Sequence, residues 1–153
     1  MLVWRIVKAA HASSPLSGEG ARLVGGRWNS RGVAVVYASS SLALAALEAY
    51  VHVDIDLEPL DRVAVALEIP PGMMVERLSM RKLPADWARY PAPESLRAFG
   101  DAWAQRAASA ALRVPSAIVP EEDNFLLNPA HPDLAKVRAV RQRPFRFDPR
   151  LVR

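Results

Sequence analysis

The amino-acid sequence predicts a mixed α+β fold, built as one compact domain over residues 1–153. Three observations support this class: the length of the chain, an apolar period that changes several times between strand-like and helical spacing, and the absence of repeats or low-complexity blocks. A chain of this length buries roughly 68–70% of its unfolded surface on folding, so it needs no disulfide or metal for stability.

The first two predicted strands are short apolar runs rich in β-branched residues, at Leu2–Val7 and Val33–Ala38. Each run is bounded by polar or glycine-containing segments, a pattern typical of strands. The second run ends beside the serine cluster 39–41, whose hydroxyls can cap a helix. We therefore expect this strand to be followed at once by a helix.

That helix is expected from about Ser41 to His52, in an alanine-rich segment whose larger apolar residues recur at helical spacing. The recurring residues are Leu44, Leu47 and Val51, which predict an apolar stripe facing the core. Glu48 lies four residues before His52, on a neighbouring face of the helix. A carboxylate in such a helix is either at the exposed edge of the stripe or held in a pocket by a polar partner.

The next elements are a strand, a connector and a longer helix. Asp61–Pro70 alternates larger apolar residues with small or charged ones, which predicts a strand ending at Pro70-Pro71-Gly72. A proline-rich connector from Pro84 to Pro93 leads to a helix expected from Glu94 to about Ala111. The helical spacing is carried by Leu96, Phe99 and Trp103.

Two more strands are predicted towards the end of the chain. Ala117–Pro120 is a short strand candidate, and Pro144–Asp148 alternates like a final edge strand. Proline lacks an N–H donor, so Pro144 is expected only at the start of such a strand.

Composition limits the classes of function. The chain has no cysteine, which excludes disulfides, thiol catalysis and cysteine-ligated zinc. The formal net charge is +4, and all but three of the 20 basic residues are arginine, the side chain that best contacts phosphates and carboxylates through two parallel hydrogen bonds. This surface suits an anionic ligand or an acidic partner. We find no signal peptide and no apolar stretch long enough for a membrane span, so we expect a soluble cytoplasmic protein.

The most informative segment is the turn Gly25-Gly26-Arg27-Trp28-Asn29, followed by Tyr37 and then Glu48. The glycines allow close approach of the backbone to a ligand, and Arg27 would project a planar cation from the turn. A cationic fork, an aromatic hydroxyl and a carboxylate can hold a dinucleotide phosphate, stack on a ring and stabilise a developing cation. Taken singly, an arginine such as Arg27 is more often a solvated turn residue, and a tyrosine such as Tyr37 is more often part of the core.

A second group of polar residues lies later in the chain. Ser116 follows a proline and precedes the strand candidate, and Asn128 precedes Pro129, so both can present polar groups at strand ends. Ordinary turn chemistry explains them equally well. His131, between two prolines, is expected to form a hydrogen bond in a loop rather than act as a base. The histidine spacing supports no metal site, and we assign none.

Together these segments resemble the RES domain, the toxin half of RES/Xre toxin–antitoxin modules. The resemblance covers most of the chain and rests on the order and spacing of the following motifs: Trp4-Arg5, Gly25–Asn29 with Gly32 and Tyr37, Leu47-Glu48 with His52, Arg113–Ser116, and Asn124–Pro129 with His131. It implies a fold related to ADP-ribosyltransferase toxins, NAD as the substrate, and a partner antitoxin that carries an Xre-type DNA-binding domain. It also implies that Arg27, Tyr37, Glu48 and Ser116 are active-site residues and that Asn128 is a fifth, substrate-binding residue.

The expected reaction is cleavage of the nicotinamide–ribose bond of NAD without a metal. Glu48 would stabilise the oxocarbenium-like transition state, Arg27 would grip the pyrophosphate, and Tyr37 would border the ribose. Ser116 and Asn128 would fix the pose through hydrogen bonds. The acceptor of ADP-ribose stays open between water, phosphate and a protein side chain, with NAD degradation favoured.

Two readings from other classes remain. A nucleic-acid-binding module is suggested by the basic charge and by the series Arg138, Arg141, Arg143 and Arg146, although no recognition helix or aromatic RNA-binding motif accompanies it. A purely structural partner-binding protein would leave the glycine–arginine turn and Glu48 without a role. We therefore expect an enzyme that does not bind nucleic acid directly.

Overall fold

The structure, a computed structural model, describes residues 1–52 and 61–151. Its centre is a seven-stranded sheet of order β4-β5-β6-β2-β1-β3-β7, in which β4 and β5 are parallel and the other neighbours are antiparallel. The strands are β1 Leu2–Lys8, β2 Val36–Ser39, β3 Arg62–Glu68, β4 Val75–Arg77, β5 Ala111–Pro115, β6 Asp123–Leu127 and β7 Arg138–Phe145. The α-helices are α1 Glu19–Val24, α2 Leu42–Tyr50 and α3 Glu94–Arg106. The predicted mixed α+β class is confirmed.

The sheet separates two apolar cores. Successive residues of a strand point to opposite faces, and in β2 Val36 and Ala38 belong to one core while Tyr37 packs on the other. The second core lies beneath α3 and includes Leu96, Trp103, Leu112, Val114 and Leu126. The site described below lies on this second face of the sheet.

Helix α2 is shorter than predicted, and its apolar stripe is placed differently. Ser41 is the N-cap and accepts a hydrogen bond from the Leu44 backbone N–H at 3.1 Å, as the serine cluster predicts. Leu44 is buried, but Leu47 and Val51 are 41% and 57% exposed, so the predicted stripe is wrong for both. The inward side of this short helix passes from Leu44 to Glu48, one turn later, and so carries a carboxylate towards the sheet.

Helix α3 begins at Glu94, as predicted, but ends five residues earlier than expected. Ala107 adopts a left-handed conformation with φ 48°, which stops the helix, and residues 111–115 form β5 instead. The predicted strand at Ala117–Pro120 is wrong. The backbone N–H groups of Ile118 and Val119 donate to the Ser116 hydroxyl, so they are unavailable for pairing with a strand. Ser116 therefore follows a strand rather than preceding one.

The basic C-terminal segment forms the edge strand β7, which starts earlier than predicted and contains Pro144 near its end, not at its start. Proline is compatible with this position because its missing N–H can face the open side of an edge strand. Strands β4, β5 and β6 were not predicted. Among the described residues, no helix is long and apolar enough to cross a membrane.

Candidate active site

The glycine–arginine segment forms a tight turn. The Gly26 N–H donates to the Asn29 carbonyl at 2.9 Å, which places Arg27 and Trp28 at the tip. Gly25 has φ 76°, a conformation that other residues rarely adopt. A Cβ atom on Gly26 would lie 2.7 Å from the Tyr37 hydroxyl. Both glycines are therefore required by the shape of the turn.

Tyr37, a residue of β2, supports this turn through hydrogen bonds. Its hydroxyl accepts a hydrogen bond from the Trp28 backbone N–H at 3.0 Å and donates to the Asn29 side-chain oxygen at 2.7 Å. The Asn29 amide, which is fully buried, donates to the carbonyls of Ala21 and Val33. Burial raises the pKa of the Tyr37 phenol, so the side chain stays neutral. In this arrangement Tyr37 supports the turn that carries Arg27.

Tyr37→Phe is expected to lower the free energy of unfolding at neutral pH by about 1–3 kcal/mol, because two buried polar groups lose their partner. Burial raises the pKa of Tyr37 in the folded protein, whereas the unfolded phenol ionises at about pH 10. The stabilisation by this hydroxyl is therefore complete below about pH 10 and declines as the pH rises further. Urea unfolding at neutral pH and at about pH 11 should show a smaller difference between wild type and variant at the higher pH. An equal difference at both would contradict this account.

Helix α3 packs directly against the backbone of the turn. A Cβ atom on Gly100 would lie 1.7 Å from the Trp28 carbonyl oxygen, so only glycine allows this approach. Two polar contacts accompany it: the Ser30 N–H donates to Asp101 at 2.9 Å, and Arg97 donates to the Gly26 carbonyl at 3.2 Å. The turn is therefore fixed from two sides, by the sheet and by α3.

Arg27 projects from the turn towards the connector that precedes α3. Its Nη1 donates to the backbone carbonyls of Trp87 and Arg89, at 2.8 and 3.0 Å. Partial burial lowers the pKa of this guanidinium, while the negative charge of Glu48 acts in the opposite direction. The two side chains thus lie within each other's electrostatic field, on the same face of the sheet.

Glu48 is held by one side chain of β6, Asn124, and by Ser116, which directly follows β5. Its Oε1 accepts hydrogen bonds from the Ser116 hydroxyl at 2.8 Å and from the Asn124 amide at 2.6 Å. The Ser116 oxygen itself accepts from two backbone N–H groups, and the Asn124 oxygen accepts from the Ser39 hydroxyl at 2.7 Å. Each donor is therefore oriented by a further partner, and the carboxylate is fixed before any ligand binds.

The structure brings four of the five predicted site residues to one face of the sheet, and leaves one apart. These four are linked by pairwise interactions: Tyr37 supports the turn that carries Arg27, Arg27 interacts electrostatically with Glu48, and Glu48 accepts from Ser116. Asn128 is buried, with its amide donating to the Ala104 carbonyl and accepting from the Ala130 N–H. It lies four residues after Asn124, directly beyond the end of β6, and so roughly 13 Å away at the usual strand rise.

Asn124 is the polar residue that sequence reasoning missed at this site. The alternation in β6 could have indicated it, because Asn124 and Leu126 point to the same, second face of the sheet. In the sheet, Asn124 pairs with Ser39 of the neighbouring strand β2. His131 forms a loop hydrogen bond, as predicted, accepting from the Asp133 N–H at Nδ1. Among residues 1–52 and 61–151, no cluster of histidine, aspartate or glutamate has a geometry suited to a metal ion.

This arrangement combines a fixed cation with an oriented carboxylate. The guanidinium can bind an anionic group, and the carboxylate can stabilise positive charge on a neighbouring part of the same ligand. Both are held by the fold in the absence of ligand, so little reorganisation is needed on binding.

Comparison with known proteins gives consistent results along the whole chain. The model of the RES domain matches residues 2–148. The "Prs ADP-ribosylating toxin" of a Sphingobium species is 46% identical over 98% of this chain and 96% of that protein. The "Toxin Res" of Photorhabdus laumondii is 37% identical over 100% of this chain and 98% of that protein.

A similar fold is found in a solved structure, the Mycobacterium tuberculosis MbcT–MbcA toxin–antitoxin complex. The match has a TM-score of 0.76 and 18% identity, and covers 95% of this chain and 84% of the solved one. At that level of identity the similarity describes the fold alone.

Proposed function

This chain belongs to the RES domain family, and we propose that it is the toxin of a toxin–antitoxin module and acts by breaking the nicotinamide–ribose bond of NAD. The observation that carries this proposal is Glu48, a carboxylate held by Ser116 and Asn124 on the same face as Arg27. A pre-oriented carboxylate that interacts electrostatically with a cationic fork matches a substrate with a pyrophosphate and a sugar that becomes positively charged.

In the proposed reaction the bond between ribose C1′ and the pyridine nitrogen breaks, and its electron pair leaves with neutral nicotinamide. Positive charge develops on the sugar, where Glu48 stabilises it. An acceptor oxygen then bonds to C1′ and releases its proton. Arg27 binds the pyrophosphate, and Tyr37 acts mainly by supporting the turn that presents Arg27. These charges suffice for the chemistry, so we assign no metal.

The acceptor separates two forms of this function. Transfer to water or phosphate degrades NAD, and this is the form we favour for a site that fixes only the NAD-binding groups. Transfer to a protein side chain is the second candidate, and it is favoured by the name of the Sphingobium relative, an ADP-ribosylating toxin directed at Prs. Both begin with the same bond cleavage and release nicotinamide.

We place Asn128 outside the substrate site, because both ends of its amide are bonded to backbone groups. We assign the substrate-positioning role expected of Asn128 to Asn124 instead, since Asn124 contacts Glu48 directly. The partner that we propose is an Xre-type antitoxin acting in the cytoplasm, where NAD is available. A complex of a similar fold with an antitoxin supports such a partner.

The proposed function is tested by incubating the purified chain with NAD and measuring free nicotinamide, with ADP-ribose, ADP-ribose 1″-phosphate and labelled protein as the products that identify the acceptor. We expect nicotinamide release, and a fall in cellular NAD with growth arrest when the chain is produced alone. Co-production with the adjacent antitoxin should restore both. Unchanged NAD and normal growth on strong soluble production would contradict the toxin assignment.

A further inference from the structure

The segment 83–91, which includes most of the proline-rich connector, is largely exposed but is attached to the fold at Leu83 and Trp87. Leu83 and Trp87 pack against the second core, and two short turns follow each other, with the Trp87 N–H donating to the Pro84 carbonyl and the Arg89 N–H to the Asp86 carbonyl. Tyr90, by contrast, is 82% exposed. The backbone of the connector is therefore fixed by packing and by its own turns.

In the part of the chain that the structure describes, this backbone forms hydrogen bonds to the site through the Arg27 guanidinium. The two hydrogens of Nη1 are directed at the carbonyls of Trp87 and Arg89. Within the described residues, Nε and Nη2 of Arg27 donate no hydrogen bond. Arginine can contact a phosphate with two parallel hydrogen bonds from one edge of its guanidinium. In Arg27 the edge formed by Nε and Nη2 is left for a ligand.

We propose that the connector positions Arg27 for the pyrophosphate, with its carbonyls clamping Nη1 so that Nε and Nη2 face the substrate, and with Trp87 as the anchor of the clamp. Trp87 suits this role because its side chain, which is partly buried, packs against the second core while its own carbonyl accepts from Arg27. The inference rests on the proposed function for the identity of the ligand. The clamp itself is a property of the ligand-free protein.

A purely structural role for Trp87 makes a different prediction. Loss of core packing alone would lower stability and reduce the fraction of active protein, leaving the KM of the remaining folded enzyme unchanged. Loss of the clamp would weaken binding of the substrate and transition state alike, which raises KM and leaves kcat nearly unchanged. The two parameters together separate these roles.

The test measures nicotinamide release from NAD by Trp87→Ala, Trp87→Phe and Tyr90→Ala in the full chain, with thermal unfolding to confirm that each variant is folded. We expect Trp87→Ala to raise KM about 10-fold with kcat changed less than about 2-fold, and Trp87→Phe to remain close to wild type. Tyr90→Ala, an exposed position of the same connector, should not change KM. Leu83→Ala, a smaller truncation of the same packing, should raise KM by less than Trp87→Ala.

A double variant tests whether Trp87 acts through Arg27. Arg27→Lys keeps the charge but loses the planar fork, and we expect it to raise KM more than it lowers kcat. If the clamp acts through Arg27, adding Trp87→Ala to Arg27→Lys should raise KM no further than about 2-fold. Multiplication of the two separate effects would overturn the inference, as would a folded Trp87→Ala or Leu83→Ala with the wild-type KM.

A second readout does not depend on NAD turnover. Side-chain nitrogen NMR of Arg27 should show slow rotation of the guanidinium in wild type and Trp87→Phe, and faster rotation in Trp87→Ala and Leu83→Ala. If the wild-type chain releases no nicotinamide, the proposed function fails while this measurement still decides the clamp. Equal rotation rates in wild type and the two alanine variants, or fast rotation in wild type, would overturn it.

Discussion

Replacing Glu48 with glutamine is expected to lower kcat for nicotinamide release roughly 10²- to 10³-fold, the scale of losing one pre-oriented electrostatic group. NAD affinity should change little. Glutamine has the same shape, and its side-chain oxygen can still accept from Ser116 and Asn124 as Glu48 Oε1 does. What the variant removes is the negative charge, which matters most when the sugar is positively charged.

The matched control is Glu68→Gln, which removes one carboxylate from an exposed ion pair with Arg138 at the end of β3. We expect this control to keep the wild-type kcat, because exposed pairs of this kind contribute little. Steady-state kinetics and direct NAD binding should be measured for both variants. Weaker NAD binding by Glu48→Gln, with turnover at saturation untouched, would make Glu48 a binding or folding residue and would assign the chemistry to another group.

Gly100→Ala is expected to destabilise the protein by about 3 kcal/mol or more, because the added methyl would overlap a backbone atom that cannot move alone. The Cβ would lie 1.7 Å from the Trp28 carbonyl oxygen, so α3 and the turn must separate. Since the turn carries Arg27, the folded fraction should also show a raised KM for NAD. Chemical unfolding and kinetics under folding conditions measure the two effects.

Gly20→Ala provides the control with the same chemical change. Gly20 lies in α1, and nothing stands within 4 Å of the position that its Cβ would occupy. Alanine has the higher helix propensity, so this variant should be unchanged or more stable by about 0.5–1 kcal/mol. If Gly100→Ala were equally neutral, the close approach of α3 to the turn would not exist in solution.

The sequence was sufficient to locate the parts of the site that depend on local chemistry. Two consecutive glycines before an arginine indicated the turn at Gly25–Asn29, and the serine cluster indicated the start of α2. The expectation that Glu48 and Ser116, which are 68 residues apart, lie in one site came from the family resemblance rather than from periodicity, and the hydrogen bond between them was not predicted. Their catalytic roles remain proposals.

The rest depended on tertiary contacts that no local pattern reveals. Leu47 and Val51 have the spacing of a buried stripe, yet α2 rests on the sheet through Leu44 and Ala45, so the stripe is exposed. The amides after Ser116 belong to an apolar run but bond to a serine hydroxyl. Asn128 has the position of a ligand-binding residue at a strand end, but its side-chain amide bonds to the Ala104 carbonyl in α3 and to the Ala130 N–H before His131.

The composition of the edge strand β7 affects whether two copies of the protein can pair through their sheets. Its arginines at 138, 141 and 143 are exposed, Pro144 lacks a donor, and the register with β3 shifts beside Ala66. If the β7 edges of two copies met, like charges would face each other and one donor would be missing, which disfavours pairing of their sheets. The basic series that suggested nucleic-acid binding thus has a simpler consequence: it protects an otherwise open sheet from growing into aggregates.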